Sequence, residues 1–427
     1  MRKLNIAIIG LGNIGTYLFE YLNKNKKILT EKNNCLPVVK YVSARNRKKK
    51  RNIKIKKKQW LNNYLDATKL NDIDLIVELI GGAEGPAKKL VFNALRKKKH
   101  VVTANKALIA KYGDELAKIA EKNKVNLEFE ASVCGGIPVI RSLKEGLIAN
   151  KISKIYGIFN GTSNYILTQM DKQKKSFVEV LNNAKSLGYA ESNPSADLNG
   201  DDVASKLQIL SSLCFNSFLN DNVYVEGIKD IDKIDIDNVD RLGYKIKLLG
   251  FAEQVNKKLY QRVHPTLIKK NSYVASIDGV LNAVIIDGKP IGQSIIQGEG
   301  AGAGATTSAL ISDISSILRG NIKFPFALSS KERKNLKFDN INDRVFSAYF
   351  RFEVLDKSGV LSNITSIFSK NKTSIKRLIQ NPNNNKKISS IIIITHAAKD
   401  KYLKKILKEI SKKNYIKKRP KLIRIDE

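Results

Sequence analysis

Residues Leu4 to Gly10 form an apolar run that feeds straight into Gly10-Leu11-Gly12-Asn13-Ile14-Gly15, and an amphipathic segment with Ile14, Leu18 and Leu22 on one stripe follows. Few folds accommodate a buried parallel strand, a glycine turn and a helix in that order. Each glycine has its own physical job: a tight turn at Gly10, approach of a pyrophosphate to bare backbone at Gly12, and close helix packing at Gly15. Free N–H groups at the helix start, including those of Asn13 and Ile14, suit an anion. The reading is a dinucleotide-binding unit.

The second strand, Val38 to Ser43, ends where NAD enzymes usually carry an acid for the ribose hydroxyls. Here the chain continues Ala44-Arg45-Asn46-Arg47, with Lys48 to Arg51 beyond. A guanidinium at Arg45 suits a 2′-phosphate, so NADP is expected over NAD. Further strands at Asp74 to Ile80 and up to Val101 to Lys106 alternate with helices as far as about Ser132, the pattern of a doubly wound parallel sheet.

A second informative stretch runs from Gly188 to Lys206. Asp202 and Lys206 stand four apart, so on a helix beginning near Gly200 they share a face and the acid orients the amine. Glu191 and Asp197 lie on the preceding loop. A second glycine loop, Gly298 to Ala305 with Gly302 inside it, opens another helix; it either closes over the cofactor or permits tight packing.

At 427 residues and 42% hydrophobic content the chain is expected to build two or three domains. No apolar segment approaches a membrane span, no cleavable signal is evident, and a cytoplasmic protein is expected. Cys35, Cys134 and Cys214 show neither disulfide nor metal spacing. The net charge of +36, from 76 basic against 40 acidic residues, would ordinarily point to nucleic acid. The lysines are spread along the whole chain without an aromatic platform, so no specific nucleic-acid partner is expected. Ser329 to Asn342 reads as a polar linker. Beyond it, strand and helix signals complete βαββαβ, with an asparagine-rich turn before Ile388; this is a ferredoxin-like module with a regulatory or oligomerising role.

Five segments together resemble the monofunctional homoserine dehydrogenases that carry a C-terminal ACT domain. They are Gly10 to Gly15, Val101 to Ala110, Asn160 to Leu167, Gly188 to Lys206, and Gly298 to Asp313; Asp356 to Leu361 is similar to the strand-to-helix turn of ACT domains. Ala305 and Ser358 stand where these families often have proline. The resemblance implies an α/β chain with an N-terminal Rossmann doubly wound parallel sheet (1–134), an α+β catalytic and dimerisation domain (135–328) and a C-terminal ferredoxin-like ACT domain (343–427). It implies reversible NAD(P)H-dependent reduction of L-aspartate 4-semialdehyde to L-homoserine, on the way to threonine, methionine and isoleucine.

On that resemblance Lys206 is the general acid and base, Asp202 orients it, and Lys106 sits between nicotinamide and substrate. Glu191 is matched to the substrate ammonium, Thr162 and Tyr189 to its polar atoms, and Asp197 stands behind them. Gly10, Gly12, Asn13, Ile14, Gly15, Arg45, Lys106 and Gly302 are expected at the cofactor. A monovalent cation such as Na+ is expected on the carbonyls of Glu130, Val133, Gly135 and Ile137. Threonine is the expected ACT ligand, a homodimer or homotetramer the expected assembly, and no kinase domain is expected ahead of Leu4. Three rivals remain in view: a semialdehyde dehydrogenase with Cys134 as nucleophile, a stand-alone amino-acid sensor, and a nucleic-acid-binding protein.

Overall fold

Alternation in the first strand explains why its sheet is covered on both faces. In β1 (Lys3–Ile9), Ile6 and Ile8 enter one buried cluster and Ala7 and Ile9 the other. Burying each of the isoleucines stabilises by about 1.5–3 kcal/mol. The glycine turn hands the chain to α1 (Asn13–Lys24), whose Leu18 and Leu22 join the cluster of Ile6 and Ile8. With β2 (Leu36–Ser43), β3 (Leu75–Glu78), α2 (Pro86–Arg96), β4 (His100–Thr103), α3 (Lys106–Asn123) and β5 (Leu127–Glu128), the computed structural model builds a parallel sheet in the order β2-β1-β3-β4-β5. It describes residues 1–383 and 387–426, so the middle of the asparagine-rich turn and Glu427 lie outside the described residues.

The middle of the chain contributes β6 (Lys151–Ile158), α4 (Gly161–Gln173), α5 (Asp201–Phe215), β7 (Tyr244–Val255), β8 (Lys258–Lys269), β9 (Leu281–Lys289), β10 (Gly292–Glu299) and α6 (Ala303–Leu318). Helix α5 is buried along almost its whole length, with Val203, Leu207 and Leu210 fully enclosed. Helix α6 behaves differently. Its Leu310, Ile314 and Ile317 join the cluster of Leu18 and Leu22, so the chain returns to the N-terminal sheet after building the middle one.

The last segment forms β11 (Val345–Leu355), α7 (Val360–Lys370), β12 (Ile375–Asn383), β13 (Ile388–Thr395), α8 (Asp400–Ile410) and β14 (Lys421–Asp426). Its strand order is β14-β11-β13-β12, with Ile364 and Phe368 of α7 and Leu403 and Ile406 of α8 packed on one face against Phe350 and Phe352. The other face is not left open. Tyr349, Ile392, Ile394, Ile423 and Ile425 belong to the large cluster of the middle domain, and β14 pairs in parallel with β8, giving one sheet in the order β10-β9-β6-β7-β8-β14-β11-β13-β12.

The stretch read as a linker is strapped down. Ser330 donates to Glu121 at 2.7 Å, Arg333 pairs with Asp114 at 2.6 Å, and Lys337–Phe338 forms a short strand on Lys258 and Leu259. Polar composition misled here because these groups have fixed partners rather than water. Among the described residues no helix is long and apolar enough to cross a membrane.

Candidate active site

The start of α5 sets the site. Gly200 takes φ +91° as the left-handed residue before the helix, and a Cβ there would lie 3.1 Å from Val225 and Val263 side-chain carbons. One turn of helix then places Asp202 and Lys206 on one face, with Lys206 Nζ 2.8 Å from Asp202 Oδ2. Lys106, the first residue of α3, reaches Asp202 Oδ1 at 2.9 Å from the N-terminal sheet. One buried carboxylate thus holds two ammonium groups brought from two domains.

Burial would raise the Asp202 carboxyl, but Lys206, Lys106 and the hydrogen bonds from Asn160 and Lys206 together hold it far below the usual carboxylate range. Burial would lower Lys206, yet Asp202 outweighs it and the ammonium is held above its ordinary value. Lys206 also donates to the Phe159 carbonyl at 2.7 Å. The site is therefore charged on both sides at neutral pH, with the Lys206 proton held in place. Lys106 is 41% exposed at its side chain against 10% for Lys206, so it faces the cleft.

At the opposite end, the glycine turn has the geometry its sequence calls for. Gly10 adopts φ +111°, and a Cβ on it would stand 2.4 Å from the Leu79 carbonyl oxygen; a Cβ on Gly15 would stand 2.1 Å from that of Gly10. Gly12 has nothing within 4 Å of its would-be Cβ. No side chain caps α1 and its first turn holds no acid, so its N–H groups, those of Asn13 and Ile14 among them, are available to an anion. A hollow of about 330 Å³ lies over this turn, lined by Gly12, Asn13, Thr16 and Tyr17 on one side and Lys49, Lys50 and Arg51 on the other.

Arg45 is exposed just past β2 and among the described residues makes no hydrogen bond or ion pair. Arg51 is already committed: its Nε donates to the Leu11 carbonyl at 3.0 Å and its other nitrogens to Asn46, Arg47 and Lys49 carbonyls. Gly302 (φ +113°) precedes α6, which likewise has no side-chain cap, and a Cβ on Gly304 would sit 3.8 Å from the Tyr17 hydroxyl. The second glycine loop therefore meets the first helix beside the hollow. It also allows tight packing, since a Cβ on Gly135 would lie 2.6 Å from the Gly300 carbonyl oxygen.

Thr162 donates its hydroxyl to the Tyr189 carbonyl at 2.7 Å, and the Tyr189 ring, 45% exposed, lies 4.9 Å from that of Tyr165. These contacts fasten the Gly188 loop to the start of α4. Glu191 is exposed on that loop and, among the described residues, makes no ion pair with Lys206 or any other cation. Asp197 accepts from Asn160 at 2.7 Å, and burial raises its carboxyl above the ordinary range.

At the domain junction the Glu130 carbonyl accepts from Val133 at 3.3 Å and that of Ile137 from Val139 at 2.8 Å, each keeping a second lone pair. Burial pushes the Glu130 carboxyl up to about 7 against the pull of the Arg141 and Ile140 N–H groups. Among the described residues no cluster of His, Cys, Asp and Glu side chains is arranged to hold a metal ion.

Asn160 is the residue that the sequence argument passed over. Its Oδ1 accepts from Ser163 N at 2.7 Å to cap α4, while Nδ2 donates to Asp197 at 2.7 Å and Asp202 at 2.8 Å. Lys106 has hidden support of the same kind: Asn105 caps α3 by accepting from Leu108 N, Thr103 accepts from Asn105 N, and Thr103 donates to the buried Glu78 at 2.6 Å. Cys134 is buried beside Lys206, and burial pushes its thiol up to about 11, which opposes a thiolate nucleophile.

Comparison with known families places the chain firmly. The family model described as "Homoserine dehydrogenase" matches residues 138–315, the model "Homoserine dehydrogenase, NAD binding domain" matches 10–130, and "AHAS small subunit-like ACT domain" matches 350–418. A homoserine dehydrogenase of Neisseria gonorrhoeae is 36% identical over 100% of this chain and 99% of its own. One from Bacillus subtilis is 35% identical over 96% of this chain and 95% of its own. The crystal structure of a homoserine dehydrogenase from Thiobacillus denitrificans superposes with a TM-score of 0.91 at 34% identity, covering 100% of this chain and 99% of that one.

Proposed function

Since the chain belongs to the homoserine dehydrogenase family, we propose that the cleft between Lys106 and Lys206 carries out the reversible NAD(P)H-dependent reduction of L-aspartate 4-semialdehyde to L-homoserine. The observation that carries this is the Lys106–Asp202–Lys206 cluster, shared by the dinucleotide-binding and catalytic domains. A bound nicotinamide dinucleotide supplies the hydride. Lys206 gives its proton to the aldehyde oxygen as negative charge develops there, and Asp202 keeps its ammonium aimed. Lys106 adds a second positive charge on the cofactor side. Glu191 is matched to the substrate ammonium, with Thr162 and Tyr189 beside it on the same loop contact and Asp197 behind.

Gly10, Gly12, Asn13, Ile14, Gly15 and Gly302 would hold the pyrophosphate, and the unpaired Arg45 would favour NADP over NAD. A monovalent cation at Glu130, Val133, Gly135 and Ile137 is supported by their oxygen donors alone. Threonine would bind the exposed Asp356 to Gly359 turn, and the edge strand β10, with Ile291 and Ile295 exposed near it, offers a surface for a second copy. Following NADPH consumption with L-aspartate 4-semialdehyde tests the reading, with NADH for comparison. Absence of turnover with both dinucleotides from folded protein would overturn it.

A further inference from the structure

Arg424, near the end of the C-terminal module, is fully buried, yet its partners lie in two domains. Its Nε meets Asp400 Oδ1 at 2.6 Å within the module. Its Nη1 meets Glu226 Oε2 at 2.9 Å and its Nη2 the Tyr224 hydroxyl at 3.1 Å, both in the middle domain. The Tyr224 hydroxyl also donates to Glu226. This short segment is itself pinned to β8, with Glu226 N donating to the Val263 carbonyl at 2.7 Å.

The next residue meets the catalytic turn. A Cβ on Gly227 would lie 2.2 Å from the Leu198 carbonyl oxygen, and Ile228 N donates to that same oxygen at 2.9 Å. Gly200, which starts α5, is packed against Val225, Val263 and the Glu226 carbonyl. From Asp400 through Arg424 and Glu226 to the Leu198–Gly200 turn there is an unbroken series of hydrogen bonds and close packing. That turn aims Asp202 and Lys206.

We infer that Arg424 and Glu226 are positioning residues for the reaction: the C-terminal module holds the catalytic turn in register, and its docking is part of what makes the site competent. The inference rests on the reading of Asp202 and Lys206 as the catalytic pair. A physical series of contacts becomes coupling only when two states of it are shown to differ, so the test is energetic. Glu226 is 38% exposed at its side chain, so Glu226→Gln spares the fold while weakening the charge-assisted bond to Arg424.

In the full-length enzyme, Glu226→Gln is expected to lower kcat roughly tenfold with NADPH affinity unchanged, and Asp400→Asn to do the same. Both variants should melt as cooperatively as the wild type. Combined with Asp202→Asn, the loss from Glu226→Gln should largely vanish, because the group it positions is already disabled. A kcat within about twofold of wild type in folded Glu226→Gln, or losses that multiply fully in the double variant, would overturn the inference. If Asp202→Asn itself is harmless, the catalytic reading fails and takes this one with it; if only Asp202→Asn is harmful, this one fails alone.

Discussion

Two ammonium groups on a single buried carboxylate make Lys206 the residue whose removal should be felt most. Lys206→Ala is expected to lower turnover by roughly 10²–10⁴ with NADPH binding nearly intact, because it removes proton transfer and leaves the glycine turn alone. Wild-type turnover in a folded variant would remove Lys206 from the chemistry. The sign of the pH dependence follows from its raised ammonium. Aldehyde reduction, which needs the proton, should stay level through neutral pH; homoserine oxidation, which needs the neutral amine, should climb into the alkaline range. Rate profiles in both directions check this, and an oxidation rate that falls above neutrality contradicts it. At the other end of the cleft, Arg45→Ala should weaken NADPH by about 1–3 kcal/mol and spare NADH, since only NADPH carries the 2′-phosphate. Titrating both dinucleotides decides it, and Arg51→Ala is the contrast: its tie to the Leu11 carbonyl shapes the turn under either cofactor, so both should weaken.

Among the elements, α4 and α5 are joined by one amide. Asn160→Ala removes the cap of α4 and the bridge between Asp197 and Asp202, so it should cost about 0.5–2 kcal/mol of stability and lower turnover as well. Asn160→Asp keeps the cap but sets a third carboxylate against the other two. Thermal melts and kcat should therefore separate: the Asp variant nearer to wild type in stability, yet more impaired in rate. Equal damage on both measures from the two variants would mean that Asn160 only caps. Why the sequence concealed this residue while displaying Gly10, Gly12 and Gly15 is a matter of range. The glycines answer to local sterics, whereas Asn160 acts on carboxylates 37 and 42 residues away. The i,i+4 spacing of Asp202 and Lys206 was legible for the same local reason. Helix α6 was half legible: the glycine loop announces its start but not that its buried face belongs to the N-terminal sheet.

For the molecule as a whole, the decisive fact is that β14 extends the catalytic sheet. Order of strands and helices suggested a separate C-terminal module, and its βαββαβ pattern and ferredoxin-like strand order are as that pattern requires. Its docking was not legible, because pairing of Arg424, Ile425 and Asp426 with Thr266, Leu267 and Ile268 joins segments with no common signature. The consequence is testable by truncation at residue 342. Losing the module would bare the Thr266 to Ile268 stretch of β8, which the last strand now covers. It would also uncover the apolar surface now met by Tyr349, Ile392, Ile394, Ile423 and Ile425. An exposed edge and a large apolar patch together favour association over solubility. The truncated chain is therefore expected to melt earlier and aggregate in size-exclusion chromatography. A truncated protein that stays dispersed, with full-length melting temperature and turnover, would show that the module is an independent attachment and that the shared sheet contributes little.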